Sequence, residues 1–276
     1  SGNLYVVATP LGNLGDLSPR AADVLRSVPV VAAEDTRRTR NLLSHLGAGP
    51  SVLSFHAHSG ERRLETILEI LHDGRDVALC TDAGTPTVSD PGTELVAAAR
   101  EQGITVVPIP GPSAVTTALS AAGLPGDRYL FLGFLPRKGG ERQRLLQRAA
   151  AEEWSVVLFE APPRLGALLA DLAAAAGPER RAVVARELTK LHEELRAGTL
   201  AELASYFSET PPRGELTIVL QGTGAPPVEP DRSEEALEAA AGLLAEGLTR
   251  REVARRLTES HGLSRNDAYR LVTGLP

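Results

Sequence analysis

Cysteine, methionine, tryptophan and lysine are what this chain has least of: one Cys, no Met, one Trp and, among 29 basic residues, two Lys in a length of 276. The single Cys80 excludes an internal disulfide and any site built on a Cys pair. It lies in the apolar run Val77-Ala78-Leu79-Cys80, so a buried, inert thiol is expected, and a cytoplasmic setting with it. No apolar run approaches the ~20 residues of a membrane span, and the opening Leu4-Tyr5-Val6 stretch carries no basic leader, so no membrane partner is expected. The two lysines, Lys138 and Lys190, stand in a chain rich in Ala and Arg. A bias that replaces dispensable Lys by Arg leaves Lys where guanidinium does not substitute, because the two differ in shape, hydration and ease of pKa tuning. Several motifs are missing as well. Leu11-Gly12-Asn13-Leu14-Gly15 lacks the G-x-G-x-x-G spacing, and there is no G-x-x-x-x-G-K-[ST] loop, no H-E-x-x-H and no G-x-S-x-G. His56-Ala57-His58 has no third ligand nearby in sequence, so no metal is expected.

What is present is an ordinary enzyme composition, 42% hydrophobic and 23% charged, with a net charge of −6. The charge is uneven. Residues 248–276 hold six Arg against Glu252, Glu259 and Asp267, which leaves −9 on the remainder. A small basic tail on an acidic body suits a local nucleic-acid contact, and equally a solvated helical face.

Apolar runs of strand length alternate with amphipathic segments. Strands are expected at Leu4 to Ala8, Pro29 to Ala33, Val52 to Phe55, Val77 to Cys80 and Thr105 to Ile109. Helices between them begin at Ser18-Pro19 and Asp35, then span Glu61 to His72 and Thr93 to Gln102. That alternation implies an α/β fold with a mostly parallel sheet covered on both faces. A second α/β domain is expected from strands at Tyr129 to Leu135, Val156 to Phe159, Ala182 to Ala185 and Leu216 to Leu220, the sheets again mainly parallel. Gly222 to Pro227 reads as a linker. Beyond it, Thr249-Arg250-Arg251-Glu252 has the form of a capping box, as does Ser264 to Asp267 with a shorter acid. Two helices joined at 261–263 would make a small helical, helix-turn-helix-like domain with Leu248, Val253, Leu257, Leu271 and Val272 inside. The expected domains are 1–112, 113–223 and 231–276.

Four polar or glycine-rich loops follow strands: Thr9 to Asp16, Glu34 to Arg38, Asp82 to Gly92 and Pro110 to Ser113. In a parallel sheet such loops gather on one edge, where ligands bind at the reversal of strand order. Asp82-Ala83-Gly84-Thr85-Pro86-Thr87-Val88-Ser89-Asp90-Pro91-Gly92 is the longest, where about 2–6 residues would suffice as a connection. Gly84 permits close backbone approach, Pro86 and Pro91 stiffen the loop, and Asp82 can accept hydrogen bonds. A turn built for structure alone would use the same residues. The residues thus reach as far as a small-molecule α/β enzyme.

Together, Val7-Ala8-Thr9-Pro10-Leu11-Gly12-Asn13-Leu14-Gly15-Asp16, Ala33-Glu34-Asp35-Thr36-Arg37, the Asp82–Gly92 loop and Pro110-Gly111-Pro112-Ser113-Ala114 resemble the tetrapyrrole-methylase superfamily. More narrowly, with Gly133 to Lys138, Phe159 to Arg164, Arg186 to Lys190 and Gly214-Glu215, nearly the whole chain resembles the ribosomal RNA small-subunit methyltransferase I family. It departs at Pro163, where the family usually has His, at Ala161, where it has Ser, and at Ala57 and Ser59. The resemblance implies the two-domain class III methyltransferase fold, with S-adenosylmethionine folded into the cleft between the domains. It also implies methyl transfer to the ribose 2′-oxygen of a cytidine in 16S rRNA at the decoding centre of the small ribosomal subunit, and a homodimer. By motif, Pro10, Leu11, Asp82, Ala83, Gly84, Thr85, Ser113, Ala114, Phe159, Leu188 and Gly214 would hold the cofactor.

Such transfer is an in-line displacement, helped by alignment and by a base or a cation at the hydroxyl. Glu34, Glu187 and Lys190 are the foremost catalytic candidates, with Asp35 and Glu160 beside them. A desolvated Lys190 next to Arg186 could act deprotonated. Ion pairing of Arg186 with Glu187, or of Lys190 with Glu194, is the structural alternative. Arg37, Arg38, Arg137 and Lys138, with Arg250, Arg251, Arg255, Arg256 and Arg265 in the tail, are candidates for RNA phosphates, or else solvated surface. Two other classes stay open: a tetrapyrrole C-methyltransferase, and a non-enzymatic nucleic-acid binder working through the tail.

Overall fold

The computed structural model describes residues 1–57, 59–224, 232–261 and 265–274, with the side chains of 232–235, 261 and 265–267 outside that description. Cα packing groups Ser1–Gly224 into one compact unit and Ala225–Pro276 into a second.

The larger unit opens with β1 (Leu4–Val7), α1 (Pro19–Ser27), β2 (Val30–Ala33), α2 (Thr36–His45), β3 (Ser51–Ser54), α3 (Glu61–His72), β4 (Val77–Cys80), α4 (Thr93–Glu101) and β5 (Val106–Ile109). The helix starts are chemically explicit. The Ser18 hydroxyl accepts from Ala21 N–H at 3.1 Å, ahead of Pro19, and the Asp35 carboxylate accepts from Arg37 N–H at 2.8 Å. All strand pairs in this sheet are parallel, in the order β3-β2-β4-β1-β5. Because β2 and β4 are apolar throughout, the sheet is buried on both sides. Ala32, Leu79, Ile67 and Leu95 pack on the α3–α4 face, while Val31, Ala78, Leu25 and Leu43 pack on the α1–α2 face. The strand order places the topological switch between β1 and β4, whose following connections leave in opposite directions.

After α5 (Ala114–Ala122) the chain builds a second sheet from β6 (Tyr129–Phe134), α6 (Gly140–Ala151), β7 (Ser155–Glu160), α7 (Leu165–Ala176), β8 (Arg181–Arg186), β9 (Glu194–Thr199), α8 (Leu200–Glu209) and β10 (Leu216–Leu220). Its order is β6-β7-β10-β8-β9, and only β6–β7 is parallel. The expectation of mainly parallel sheets is therefore corrected for this half. The crossover through α7 does make β7 and β8 point the same way, but it leaves a gap one strand wide. β10 enters that gap antiparallel to both. An apolar run such as Leu216–Leu220 is buried on two faces and carries no mark of its direction. β9 was not expected at all, because Glu194-Leu195-Arg196-Ala197-Gly198-Thr199 is a half-exposed edge with no apolar run. Helices α6, α7 and α8 cover one face. The other is covered by α5 and by Leu11 from the loop after β1, which join Val157, Leu188 and Val219 in a shared apolar cluster. That cluster binds the two sheets into one body.

The smaller unit contains α9 (Arg232–Ala245), α10 (Arg250–His261) and α11 (Arg265–Thr273). Val253, Leu257 and Val272 form its core with Leu248 and Leu271 against it, joined by Ala236 and Ala240 of α9. The capping box at Thr249 is present, with Thr249 N–H donating to Glu252 at 3.0 Å and Glu252 N–H to the Thr249 hydroxyl at 3.4 Å. The second expected start at Ser264, and residues 262 and 263 of the junction expected at 261–263, lie outside the described residues, as do His58 and 225–231.

Candidate functional site

The loops after β1 and β4 meet at the switch point. Thr9 N–H donates to the Gly84 carbonyl at 2.9 Å and Gly84 N–H donates to Thr9 at 3.0 Å. This bridge turns the Asp82–Gly92 loop outward over the edge of the first sheet. Thr87 and Ser89 hold left-handed φ values of 73° and 62°, uncommon for residues with a Cβ. Gly92, at φ 125°, has no alternative: a Cβ there would lie 2.7 Å from Leu79 Cδ2.

Between this loop, α5 and the ends of β6, β7 and β10 lies a cleft of 440 Å³. That size falls in the ~300–1,000 Å³ range of small-molecule sites. Of the residues expected to hold a cofactor, Leu11, Asp82, Ala83, Gly84, Thr85, Ser113, Ala114, Phe159 and Gly214 line it. Two do not. Pro10 borders a neighbouring cleft of 420 Å³, and Leu188 is buried in the apolar cluster beneath. The first turn of α5 faces the main cleft, and its N-cap Ser113 makes no side-chain capping bond. Phe134 and Phe159, with ring centroids 5.5 Å apart, form an aromatic wall.

The polar groups differ sharply. Glu160 is buried; its Oε1 accepts from Ala161 N–H at 2.8 Å and pairs with Arg164 at 3.1 Å, while Oε2 has no hydrogen-bond partner. Thr81 Oγ1 is buried without a partner too. Glu34 lines the cleft and accepts from Asp82 N–H at 3.2 Å; Asp82 in turn accepts from Asp35 N–H at 3.0 Å and pairs with Arg38 at 3.7 Å. Arg38 borders both clefts, whereas Arg37 is turned to Asp35 at 3.3 Å. That contact, led by the Arg37 backbone N–H, holds the Asp35 carboxyl below its usual value.

Lys190 borders the smaller cleft and is not a desolvated free amine, which corrects the deprotonated reading. Burial pulls its pKa down, but Nζ donates to Glu187 at 2.9 Å and to Glu215 at 3.0 Å, and these bonds hold it above the usual value. Burial pushes Glu187 up; the Lys190 ammonium and the Glu215 N–H, donating at 2.9 Å, outweigh it and leave Glu187 below the usual range. Glu187 lies behind the main cleft, where a Cβ on Gly214 would overlap its carboxyl group. Arg186 pairs instead with Glu194 at 3.2 Å, so both anticipated ion pairs exchange partners. Arg137 and Lys138 are exposed in the larger unit, and Arg250, Arg251, Arg255 and Arg256 in the smaller; the Arg265 side chain lies outside the described residues.

One lining residue had not been singled out. Asp90, half-buried in the same cleft, is pushed up from 3.8 to about 7, first by burial and then by the charge of Glu34, with Asp82 and Glu215 adding. The Thr81 hydroxyl, without a partner at hydrogen-bonding distance, pulls the other way. Its signal in the sequence was the second carboxylate of a loop too long for a connection. Among the described residues, no group of three or more His, Cys, Asp or Glu is placed to hold a metal, and no helix is long and apolar enough to cross a membrane. Cys80 is buried as expected, its thiol pushed up to about 12 by desolvation.

The chain matches the family model of tetrapyrrole (corrin/porphyrin) methylases over residues 3–204. It is 48% identical over 271 residues to the ribosomal RNA small subunit methyltransferase I of Synechocystis sp., covering 98% of this chain and 97% of that protein. To the Escherichia coli O157:H7 protein of the same name it is 42% identical over 271 residues, covering 98% and 94%. Among solved structures it is similar to a cobalt precorrin-4 methyltransferase, with a TM-score of 0.63 at 18% identity, covering 79% of this chain and 94% of that one. A uroporphyrin-III C-methyl transferase from Thermus thermophilus, complexed with S-adenyl homocysteine, gives 0.60 at 19% identity, covering 80% and 97%. At such identities these structures speak for the fold alone.

Proposed function

The chain belongs to the tetrapyrrole methylases and, within them, to the ribosomal RNA small subunit methyltransferase I proteins, and from that premise we propose that it methylates the ribose 2′-oxygen of a cytidine in 16S rRNA, using S-adenosylmethionine. The observation that carries the reading is the switch-point cleft in a chain alike to those rRNA methyltransferases over nearly its full length. The residues present fit the cofactor. Glu160 Oε2 is a buried acceptor in need of a donor such as a ribose hydroxyl or an ammonium. The uncapped first turn of α5 suits a carboxylate, and Phe134 with Phe159 suits an adenine face. Backbone groups of Leu11, Ala83, Gly84, Thr85 and Ala114 complete the wall. When bound, the cofactor would supply a methyl group on a sulfonium sulfur, to be taken by an aligned nucleophile with the thioether as leaving group.

The chain's own work is then to align and to manage charge. The bridge between Thr9 and Gly84 fixes the cofactor wall relative to the acceptor side. Alignment of this kind can be worth ~7–11 kcal/mol of the barrier. Arg38 and the charged Lys190 border the adjoining 420 Å³ cleft, where they suit the phosphates flanking the target nucleotide. Glu187 serves to place Lys190 rather than to take a proton. Arg37, Arg137, Lys138 and the tail arginines belong to a wider RNA contact. The tail is read as a helix-turn-helix-like RNA-binding domain beyond two α/β domains of 1–112 and 113–223, and the enzyme as a cytoplasmic homodimer. A porphyrin acceptor would need neither the tail nor these arginines.

The test offers labelled S-adenosylmethionine together with unmodified small ribosomal subunits and with uroporphyrinogen III. Label in RNA alone is the expected outcome. Label in the tetrapyrrole alone would replace the acceptor and keep the enzyme class, and label in neither, with the cofactor still bound, would remove both.

A further inference from the structure

Of the carboxyl groups lining the cleft, Asp90 and Glu34 are the two without a cation among the described residues, and Glu34 does accept from Asp82 N–H. Glu160 is tied to Arg164, Glu187 to Lys190, and Asp82 to Arg38. Asp90 makes no ion pair among the described residues. The groups that face it are acidic: Glu34 from the end of β2, Asp82 at the head of its own loop, and Glu215 from the segment before β10. Arg38 of α2, which shares the lining, is engaged with Asp82. The buried Thr81 hydroxyl is the one neighbour that favours the charged form of Asp90, and it is outweighed by burial and by these acids.

Its backbone is held as firmly as its charge is left loose. Asp90 sits between Ser89, at φ 62°, and Pro91, with Thr87 at φ 73° just before. Ser89 is wedged against the second sheet, where a Cβ on Gly133 would lie 2.7 Å from its Oγ. Left-handed backbone at two residues bearing a Cβ is retained where the surroundings over-determine it, and such positions cluster at working sites. An ordinary loop carboxylate would face water. This one is presented inward to the cleft, beside Val88, Ser89 and Phe134.

Resting on the methyl-transfer reading above, we propose that Asp90 is the proton acceptor for the ribose 2′-hydroxyl. In that step the O–H bond breaks and its proton passes to an Asp90 carboxylate oxygen. The oxygen–methyl bond forms as the sulfur–methyl bond breaks, its electron pair staying on sulfur. The product pair is a 2′-O-methyl ribose and a neutral thioether, with the proton released from Asp90 to water afterwards. A base is most useful when its pKa lies near the working pH, and a carboxyl held near neutrality by burial and by like charges meets that requirement. Glu187, held low by Lys190, does not.

The test compares the full-length protein with D90N on unmodified small subunits, in single turnovers across pH 5.5–9. It adds calorimetry of S-adenosylmethionine binding and a carbon-13 titration of the Asp90 carboxyl without cofactor. General-base loss is worth about 10²–10⁴-fold, so D90N should fall by at least about 100-fold. Cofactor affinity should hold within about twofold, and the wild-type rate should rise with pH through an inflection near the carboxyl's own midpoint, absent from the residual D90N rate. D90N at full rate would overturn the assignment, because the amide mimics only a neutral donor. A loss of cofactor affinity matching the loss of rate would overturn it too, making Asp90 a cofactor ligand. If D90N does not fold, the wild-type titration decides: a midpoint near 4 with a flat rate profile overturns the proposal. A wild type that labels no RNA overturns the rRNA reading and this one with it, whereas a wild type matched by D90N overturns only the role of Asp90.

Discussion

At the scale of single residues, Asp90 and Lys190 show how packing decides chemistry. The rarity of Lys190 singled it out in the sequence, which left a deprotonated amine and an ion-paired one both open; its partners, Glu187 and Glu215, are set by tertiary packing, and they hold it charged. Asp90 stood in plain view within the long loop; its burial beside Glu34 depends on how β2 and β4 adjoin, which no local pattern encodes. The Asp90 shift also affects stability. Its folded pKa, about 7, lies above the ordinary carboxyl value of 3.8, so the folded state holds the proton more tightly. The resulting stabilisation is fully present below about pH 4 and is lost as the pH rises through about 7. D90N, which does not ionise, should therefore melt higher than wild type at pH 8 and show little difference near pH 4, as read by calorimetric Tm. Equal Tm differences at both pH values would contradict the burial of this carboxyl among like charges. Gly214→Ala tests the other side of the cleft. It puts a Cβ at φ 87° into the Glu187 carboxyl, so it should cost about 1 kcal/mol or more in denaturant unfolding and weaken cofactor binding.

At the scale of elements, the first sheet was legible and the second was not, for one physical reason. In β1 to β5 every strand is followed by a helix, so direction follows from connectivity and the ligand edge follows from direction. In the second sheet the insertion of β10 between β7 and β8, and the pairing of β9 on the edge, are choices among apolar or half-exposed surfaces of similar appeal. The loops that make the cleft were found because they are polar, rigid and too long. That Leu188 supports the cleft from beneath rather than lining it depends on the apolar cluster shared by both sheets. The loop after β4 owes its shape to α4 beginning at Gly92 against Leu79. Gly92→Ala should push that start away from the sheet. The expected result is a loss of about 1 kcal/mol or more in stability, with a larger loss of single-turnover methyl transfer than of cofactor affinity. As a control far from the cleft, Thr199→Ala removes the cap of α8, whose hydroxyl accepts from Glu202 N–H at 3.2 Å. It should cost about 1 kcal/mol with the transfer rate unchanged.

At the scale of the whole molecule, the basic stretch is residues 248–276, with six Arg against three acids, whereas the smaller unit as a whole, 225–276, holds seven Arg against nine Asp and Glu, so the RNA contact expected there is local to the arginines of α10 and α11. Ser1–Gly224 has its own two-sheet core and the cleft, and the tail has a separate core of its own. Removing residues 225–276 should leave S-adenosylmethionine affinity intact, weaken binding to small subunits and flatten its salt dependence by about 0.7–0.9 log units for each phosphate the tail neutralises. An unchanged salt slope would free the tail arginines from any RNA role. The central claim, that this cleft serves a ribose in the small subunit, is tested most directly by nucleoside mass analysis of 16S rRNA after incubating unmodified subunits with the enzyme and S-adenosylmethionine. The expected result is one new 2′-O-methylcytidine, formed at least about 100-fold more slowly with D90N. A methyl group on a base, or none in the RNA while the cofactor still binds, would contradict it.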